Sequence, residues 1–446
     1  MSRLIQIVEF EKLYQKNFNK KDFDDIENFI LKNSENTQFL RVGSNCNGKF
    51  IQAKNYVGVL QTKSGFTLEI LPKIAKNSDN IKTSKEIFIK MLKTLKNFPF
   101  KISNFANLDL KKVSILEIFI SMFLDELNSL FKKGIKSDYV NFSDNLNFLK
   151  GKLIIKRQID KNNIHKNRFY VEYDEFTNDI EINQIIKTTL EFLYKRSSYI
   201  KNQQRIRRFL FIFDEVSKHK NYKNFFKHYC INRQTKHYEQ ALLWCKIFLL
   251  KNSFTPYSGD NLAFAFLFDM NRLFENYVGK FIQKNYENVK LQYFKKYLID
   301  SPKSFKLIPD IFIAGESKII ADTKWKIVES PKEISQADLY QLYTYGKKYD
   351  CYRLFLIYPK VIDRLEEDHY ILKFNDEMIL KIIYFDLEVD DKNKELIDGF
   401  LNPLKFEGIN LSFYLRLFKD SKLRNFACKF FYIYKASVRD VSICKF

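Results

Sequence analysis

Apolar and polar positions alternate with period two in RLIQIVEF (3–10), and the apolar runs of KFIQAKNYVGVLQT (49–62) and FTLEILPKI (66–74) have strand composition. A helical pattern covers DFDDIENFILKN (22–33), and a polar break follows at AKNSDNIKT (75–83). Helical periodicity dominates from 84 to 133, interrupted near Pro99, and returns from Asp179 to about Leu250. Between these stretches GKLIIKRQI (151–159) and FYVEYDEF (169–176) read as strands. A cluster of Pro, Gly, Ser and Asp at SFTPYSGDN (253–261) marks a boundary.

Beyond that boundary the order of elements changes character. A long amphipathic helix is expected over 262–286, then a strand over KLQYFKKYLI (290–299). LIPDIFIAGESKIIADTKWK (307–326) reads as a β-hairpin. A helix follows over QADLYQLYTYGKKY (336–349), with Ser335 as its cap and Asp338 completing the capping pattern. YRLFLIYP (352–359) closes the series as a strand stopped by Pro359. Helix–strand–strand–strand–helix–strand is an α/β unit whose last strand can lie parallel after the helical crossover. The resulting organisation is a β-rich region over 1–80, a mainly helical region with returning strands over 81–255, an α/β domain over 256–400 and a basic, aromatic extension over 401–446.

Composition narrows the class. With 46% hydrophobic and 16% aromatic residues among 446, the chain can bury a sizeable core. Against 53 acidic residues stand 75 Lys and Arg, a net charge of +22, which favours a polyanionic partner, nucleic acid first. An AT-rich genome explains the preference for Lys over Arg but not so large an excess over acids. Cations interleaved with rings between Arg205 and Tyr229 suit either a phosphate backbone or a solvated helix face over an aromatic core. The six cysteines, Cys46, Cys230, Cys245, Cys351, Cys428 and Cys444, form no CxxC pair, and His228 beside Cys230 has no second pair to complete a metal site. The longest apolar stretch, 113–131, contains Glu117, Asp125 and Glu126, so an amphipathic core helix is expected and no membrane span. With no signal-peptide pattern at the N-terminus, a reduced, cytoplasmic setting is the expectation.

The hairpin carries charges that a buried hairpin should avoid. If Gly315, Glu316 and Ser317 form a three-residue loop, Ala314 pairs with Lys318 and Asp310 falls opposite Asp322. A loop of two or four residues would remove Asp310 from that face. Facing carboxylates repel, unless a cation lies between them; two carboxylates and a strand carbonyl, that of Thr323, suit Mg²⁺. Alternation puts Lys324 on the face of Asp322, where its ammonium could orient a water for attack on phosphorus. The other reading is a solvent-facing Asp/Lys pair on an edge strand. Glu275 on the preceding helix could reach the same metal, or be an exposed helix charge. Gln341 and Tyr345, at i and i+4, share a helix face that could point to the site.

PD-x₁₁-DTK followed by QLYTY resembles the PD-(D/E)xK nuclease core, in the form with a trailing Q-x-x-x-Y motif. MNRLFENYV (270–278), LIPDIF, DTKWK and DLYQLYTYGKKY together resemble the McrC family, nuclease subunits of modification-dependent McrBC restriction systems. AKNYVGVLQTKSGFTLEILPKI (53–74), GKLIIKRQI and YDEFTNDIEINQIIK (173–187) look like that family's N-terminal half, so the resemblance runs from about residue 5 to 390. It implies a restriction-endonuclease-like α/β core behind a mixed β-rich and helical N-terminal region. It also implies an McrB-like AAA+ GTPase hexamer as partner, bound through the N-terminal part and stimulated in GTP hydrolysis. The substrate implied is double-stranded DNA with methylated cytosine. On this chain Asp310 and Asp322 would be metal ligands, Lys324 the catalytic lysine, and Glu275 and Gln341 supporting members. GTP would belong to the partner, because no G-x-x-x-x-G-K-[ST] loop occurs here. Residues from about 408 onward do not look like a family ending. Two other readings stay open: a non-catalytic DNA-binding adaptor of the GTPase ring, and a stand-alone resolvase or repair nuclease.

Overall fold

The computed structural model describes residues 4–17, 19–32, 39–62, 64–74, 80–95, 113–164, 166–250, 262–315, 318–362 and 369–401. The expected features at Pro99, at 253–261 and in the C-terminal extension beyond 401 lie outside them, as do Glu316 and Ser317 of the hairpin loop. Contacts divide the chain into two units. The first holds the chain to Lys284 together with Thr323–Glu329 and the described part of Val361–Arg364; the second holds Asn285–Asp322, Ser330–Lys360 and the described residues from 369 on.

The first unit is built on a four-stranded sheet in the order Leu4–Val8, Thr67–Leu71, Tyr56–Thr62, Leu262–Asp269. The first pair is parallel and the other two antiparallel. Every residue of Thr67–Leu71 is buried, including Glu69, so this strand is covered on both faces. Its carboxylate meets Lys85 at 2.9 Å with both side chains fully buried, and Lys85 Nζ also donates to the carbonyl of Val113 at 2.8 Å. Such a pair is tolerated because hydrogen bonds use the remaining polar atoms. A smaller sheet, Lys12–Tyr14, Gly48–Ala53 and Leu40–Asn45, shares a core with helix Lys20–Lys32 through Phe23, Ile26, Ile30 and Ile51.

Residues 262–269 are therefore a strand and not the first turns of the expected helix, which starts at Met270 and ends at Asn285. The physical cause is the partner strand. Gly58 has φ +145°, and a Cβ there would lie 1.9 Å from the carbonyl oxygen of Phe266, so only glycine lets the two backbones pair at this point. The strand reading of 151–159 also yields: only Lys152–Leu153 is extended, and Ile155–Asn162 is helical. Gln158 Oε1 there accepts the backbone N–H of Tyr170 at 2.6 Å, satisfying the neighbouring strand from a helix.

Helix Ile115–Lys132 starts at Ser114, whose hydroxyl accepts the Glu117 N–H at 3.3 Å. It is buried over most of its surface, more than an amphipathic helix would be. The Glu117 carboxylate is satisfied by Ser197 Oγ, the Tyr199 N–H and Asn202 Nδ2 at 2.8, 3.0 and 2.8 Å. Among the described residues no helix is long and apolar enough to cross a membrane. Helices Glu181–Tyr194, Ile200–Ile212, Tyr222–His228 and Glu239–Leu249 complete the helical region. Phe209, Phe213 and Phe225 are buried and Arg205 pairs with Asp125 at 2.6 Å, so the cation-and-ring stretch is largely a solvated face over a core.

The second unit has a six-stranded mixed sheet in the order Val289–Leu291, Ile311–Ile313, Ile319–Thr323, Arg353–Pro359, Ile379–Phe385, His369–Lys373. The Thr323 end of its third strand already counts with the first unit. The expected strand over 290–299 is split. Gln292 takes φ +50°, its N–H donates to the carbonyl of Asp310 at 2.8 Å, and the chain then turns into a separate hairpin of Lys296–Asp300 with Lys303–Leu307. Helix–strand–strand–strand–helix–strand thus survives as an order, with a hairpin inserted and two strands added.

Candidate active site

The registers found are Ile311 with Ala321, Phe312 with Ile320 and Ile313 with Ile319. The paired register ends at Ile311 with Ala321; Asp310 lies in the bend that leads into the first strand and Asp322 follows Ala321 on the second, so the two aspartates flank the last pair. Asp322 is 1% exposed between Ala321 and Thr323, on a strand whose residues are all buried. A buried carboxylate is costly unless compensated, so its position calls for a cation or strong donors. Its field reaches Tyr358: burial first, then the charge and hydrogen bond of Asp338, then Tyr384 and Asp322, push the Tyr358 hydroxyl far above its ordinary value.

Asp310 is held from outside the hairpin. Gln292 donates through Nε2 to Asp310 Oδ1 at 3.3 Å, besides its backbone bond to the Asp310 carbonyl. Helix Gln336–Tyr349 then fixes the approach to Asp310. Tyr345 OH donates to the carbonyl of Ile308 at 3.3 Å, and Tyr349 OH donates to that of Leu307 at 2.8 Å. Gln341 Nε2 in turn donates to Tyr345 OH at 2.8 Å. One helix face, with a residue every four positions, thus grips the strand that delivers the first aspartate. Asp350 in the left-handed conformation (φ 53°) ends that helix.

Ser335 precedes the helix but makes no side-chain cap bond. Asp338 lies buried and accepts from Tyr358 OH at 3.4 Å.

The second unit contains Asp310, Asp322, Gln341 and Tyr345, while Thr323, Lys324 and Glu275 belong to the first. Lys324 is half-buried just beyond the strand end, and Glu275 is half-buried on helix Met270–Asn285. Gln292, Tyr349 and Tyr358 were not singled out from sequence, and Asp338 was singled out only as part of a helix cap. For Tyr349 a signal existed, since Gln341, Tyr345 and Tyr349 share one spacing of four. No such signal existed for Gln292, which acts through a backbone turn.

Among the described residues no three His, Cys, Asp or Glu side chains are grouped to hold a metal. Any fit rests on the aspartate pair and a backbone carbonyl. That donor set is all oxygen, which suits a hard, well-hydrated divalent cation such as Mg²⁺ and not a metal that prefers nitrogen or sulfur.

Residues 51–359 match the family described as McrBC 5-methylcytosine restriction system component. No curated protein matches the chain. Among solved structures, a chain of the half-complex from the tetradecameric assembly of Thermococcus gammatolerans McrB AAA+ hexamers with bound McrC is similar at 20% identity and a TM-score of 0.67, over 87% of this chain and 98% of that one. A chain of the Thermococcus gammatolerans McrBC complex gives 22% identity and a TM-score of 0.47 over 63% and 88%. The fold is thus shared with the first of these, and the family match spans more than half of the sequence: the chain belongs to the McrBC 5-methylcytosine restriction system component family.

Proposed function

We propose that the chain is the Mg²⁺-dependent DNA endonuclease subunit of a GTP-driven, methylcytosine-directed restriction complex, and that it stimulates the GTPase of an McrB-like AAA+ hexamer. The observation that carries this reading is the hairpin register, whose pair of Ile311 with Ala321 is flanked by Asp310 and by Asp322, the latter on the strand that runs into Lys324. Family membership supports the restriction setting, and the complex named for the similar structure supports an AAA+ partner. GTP is assigned to that partner.

Asp310 and Asp322, with the Thr323 carbonyl, would hold the cation, and Glu275 would support them from its helix. Bound Mg²⁺ would supply charge neutralisation at the scissile phosphate and acidify a water at neutral pH. Lys324 would orient the attacking water by hydrogen bonding and balance the charge developing on the phosphoryl oxygens. Gln341, through Tyr345, would keep the Asp310 strand in place so that the two carboxylates meet the cation together.

Asp322→Ala and Lys324→Ala are each expected to abolish cleavage of methylated duplex DNA while leaving assembly with the AAA+ partner and GTP hydrolysis intact. Cleavage by either variant at the wild-type rate would show the assignment of the site to be wrong.

A further inference from the structure

Trp325 follows Lys324 directly, is 1% exposed and is among the largest fully buried side chains of the chain. A tryptophan so placed needs a partner for its indole N–H, and here the partner is a carboxylate from the other end of the sequence. Trp325 Nε1 donates to the two oxygens of Glu9 at 3.1 and 3.0 Å. The Trp325 carbonyl accepts from Lys73 Nζ at 2.6 Å. Glu9 and Lys73 are bound to each other as well, since the Lys73 backbone N–H donates to Glu9 Oε2 at 2.9 Å. Glu9 lies at the end of the first strand, where its own N–H donates to the Leu71 carbonyl at 3.0 Å.

Two further contacts link this cluster to the candidate residues of the same unit. The Trp325 ring packs on Phe274 at 5.4 Å, and Phe274 immediately precedes Glu275. The Lys326 N–H donates to the Lys324 carbonyl at 2.8 Å, closing a three-residue turn centred on Trp325 that begins at the lysine. All of these groups belong to the first unit. The backbone beside the candidate lysine and the residue beside the candidate glutamate are thus fastened to one buried indole.

We propose that Glu9 and Trp325 are positioning residues for Lys324: a carboxylate–indole–ammonium clamp that fixes the backbone from which the lysine projects and ties it to the N-terminal sheet. The proposal rests on the nuclease reading given above. Its logic is that a catalytic ammonium misplaced by about 1 Å loses roughly two orders of magnitude in rate without any loss of binding. A tryptophan that merely fills a core would affect cleavage, partner stimulation and stability together.

The test uses the full chain assembled with its AAA+ partner, methylated duplex DNA and Mg²⁺ in single-turnover cleavage. Trp325→Phe keeps a ring and deletes the N–H; Lys73→Met keeps the stem and deletes the ammonium on the Trp325 carbonyl. Each is expected to slow cleavage about tenfold or more, with DNA affinity and stimulation of GTP hydrolysis within about twofold of wild type. Cleavage at the wild-type rate in both variants, with Lys324→Ala inactive, overturns the clamp and leaves the nuclease reading standing. A parallel fall in cleavage, GTPase stimulation and melting temperature also overturns it, in favour of a purely structural indole. Wild-type cleavage by Lys324→Ala overturns the nuclease reading instead.

Discussion

Glu9 shows how one residue can carry both a structural and an electrostatic role. It is 4% exposed, and burial, partly offset by Lys73 and by hydrogen bonds from Lys73 and Trp325, pushes its carboxyl up to about 7. The folded chain therefore holds this proton more tightly than the unfolded chain does. The contribution is fully present below the ordinary carboxyl value near 4.5 and is lost as pH rises through about 7. A displacement of that size corresponds to about 3 kcal/mol. Glu9→Gln keeps an acceptor for the indole and removes the titration, so its stability is expected to vary less than that of wild type between pH 5 and pH 8. Denaturant melts at the two pH values check this, and parallel pH curves for the two proteins would refute it.

At the scale of elements, the candidate site depends on a helix gripping a strand. Gln341, Tyr345 and Tyr349 recur every four residues along Gln336–Tyr349, and the two tyrosines bind consecutive carbonyls, Ile308 and Leu307, just ahead of Asp310. Backbone carbonyls carry no sequence information, so the strand sequence there matters less than the helix spacing. Tyr345→Phe deletes the hydroxyl that joins Gln341 to Ile308, which is expected to cost about 1 kcal/mol in stability. Cleavage is expected to fall about tenfold with unchanged DNA binding, as the Asp310 strand loosens. Single-turnover kinetics beside a melting curve would check it; unchanged cleavage would mean that this face of the helix only packs.

The whole molecule is marked by its charge and by how the chain crosses between units. The net charge over the 446 residues is +22, and binding to a DNA duplex is expected to weaken steeply with salt. Each phosphate contact contributes roughly 0.9 to the log–log slope, so five contacts give a slope of about −4.5. A slope near zero, measured with the chain alone on a duplex, would remove polyanion binding as the reason for the charge. Chain crossing matters more for mechanism. The strand Ile319–Thr323 leaves the second unit after Asp322, and Thr323–Glu329 packs with the first. Asp322 and Lys324 are thus two positions apart in sequence yet held by different sets of contacts.

Much of this was legible in the sequence because it is local. Loop length and side-chain alternation fix a hairpin register, so the pairing of Ile311 with Ala321 beside the two aspartates followed from counting, and the order of helices and strands from 270 to 359 followed from periodicity apart from the inserted hairpin of 296–307. The family resemblance rested on the same local motifs. What sequence could not supply came from contacts between distant segments. Residues 262–269 become a strand only because Gly58, some two hundred positions earlier, allows their backbone to approach. Asp338 meets the hydroxyl of Tyr358, twenty positions later, in the core. Trp325 acquires a partner because Glu9 is brought to it from 316 positions away. Periodicity and loop length record what neighbours along the chain must do; only the folded packing decides which remote groups satisfy a buried N–H or carboxylate, since those obligations are met by whatever the tertiary structure brings within about 3 Å.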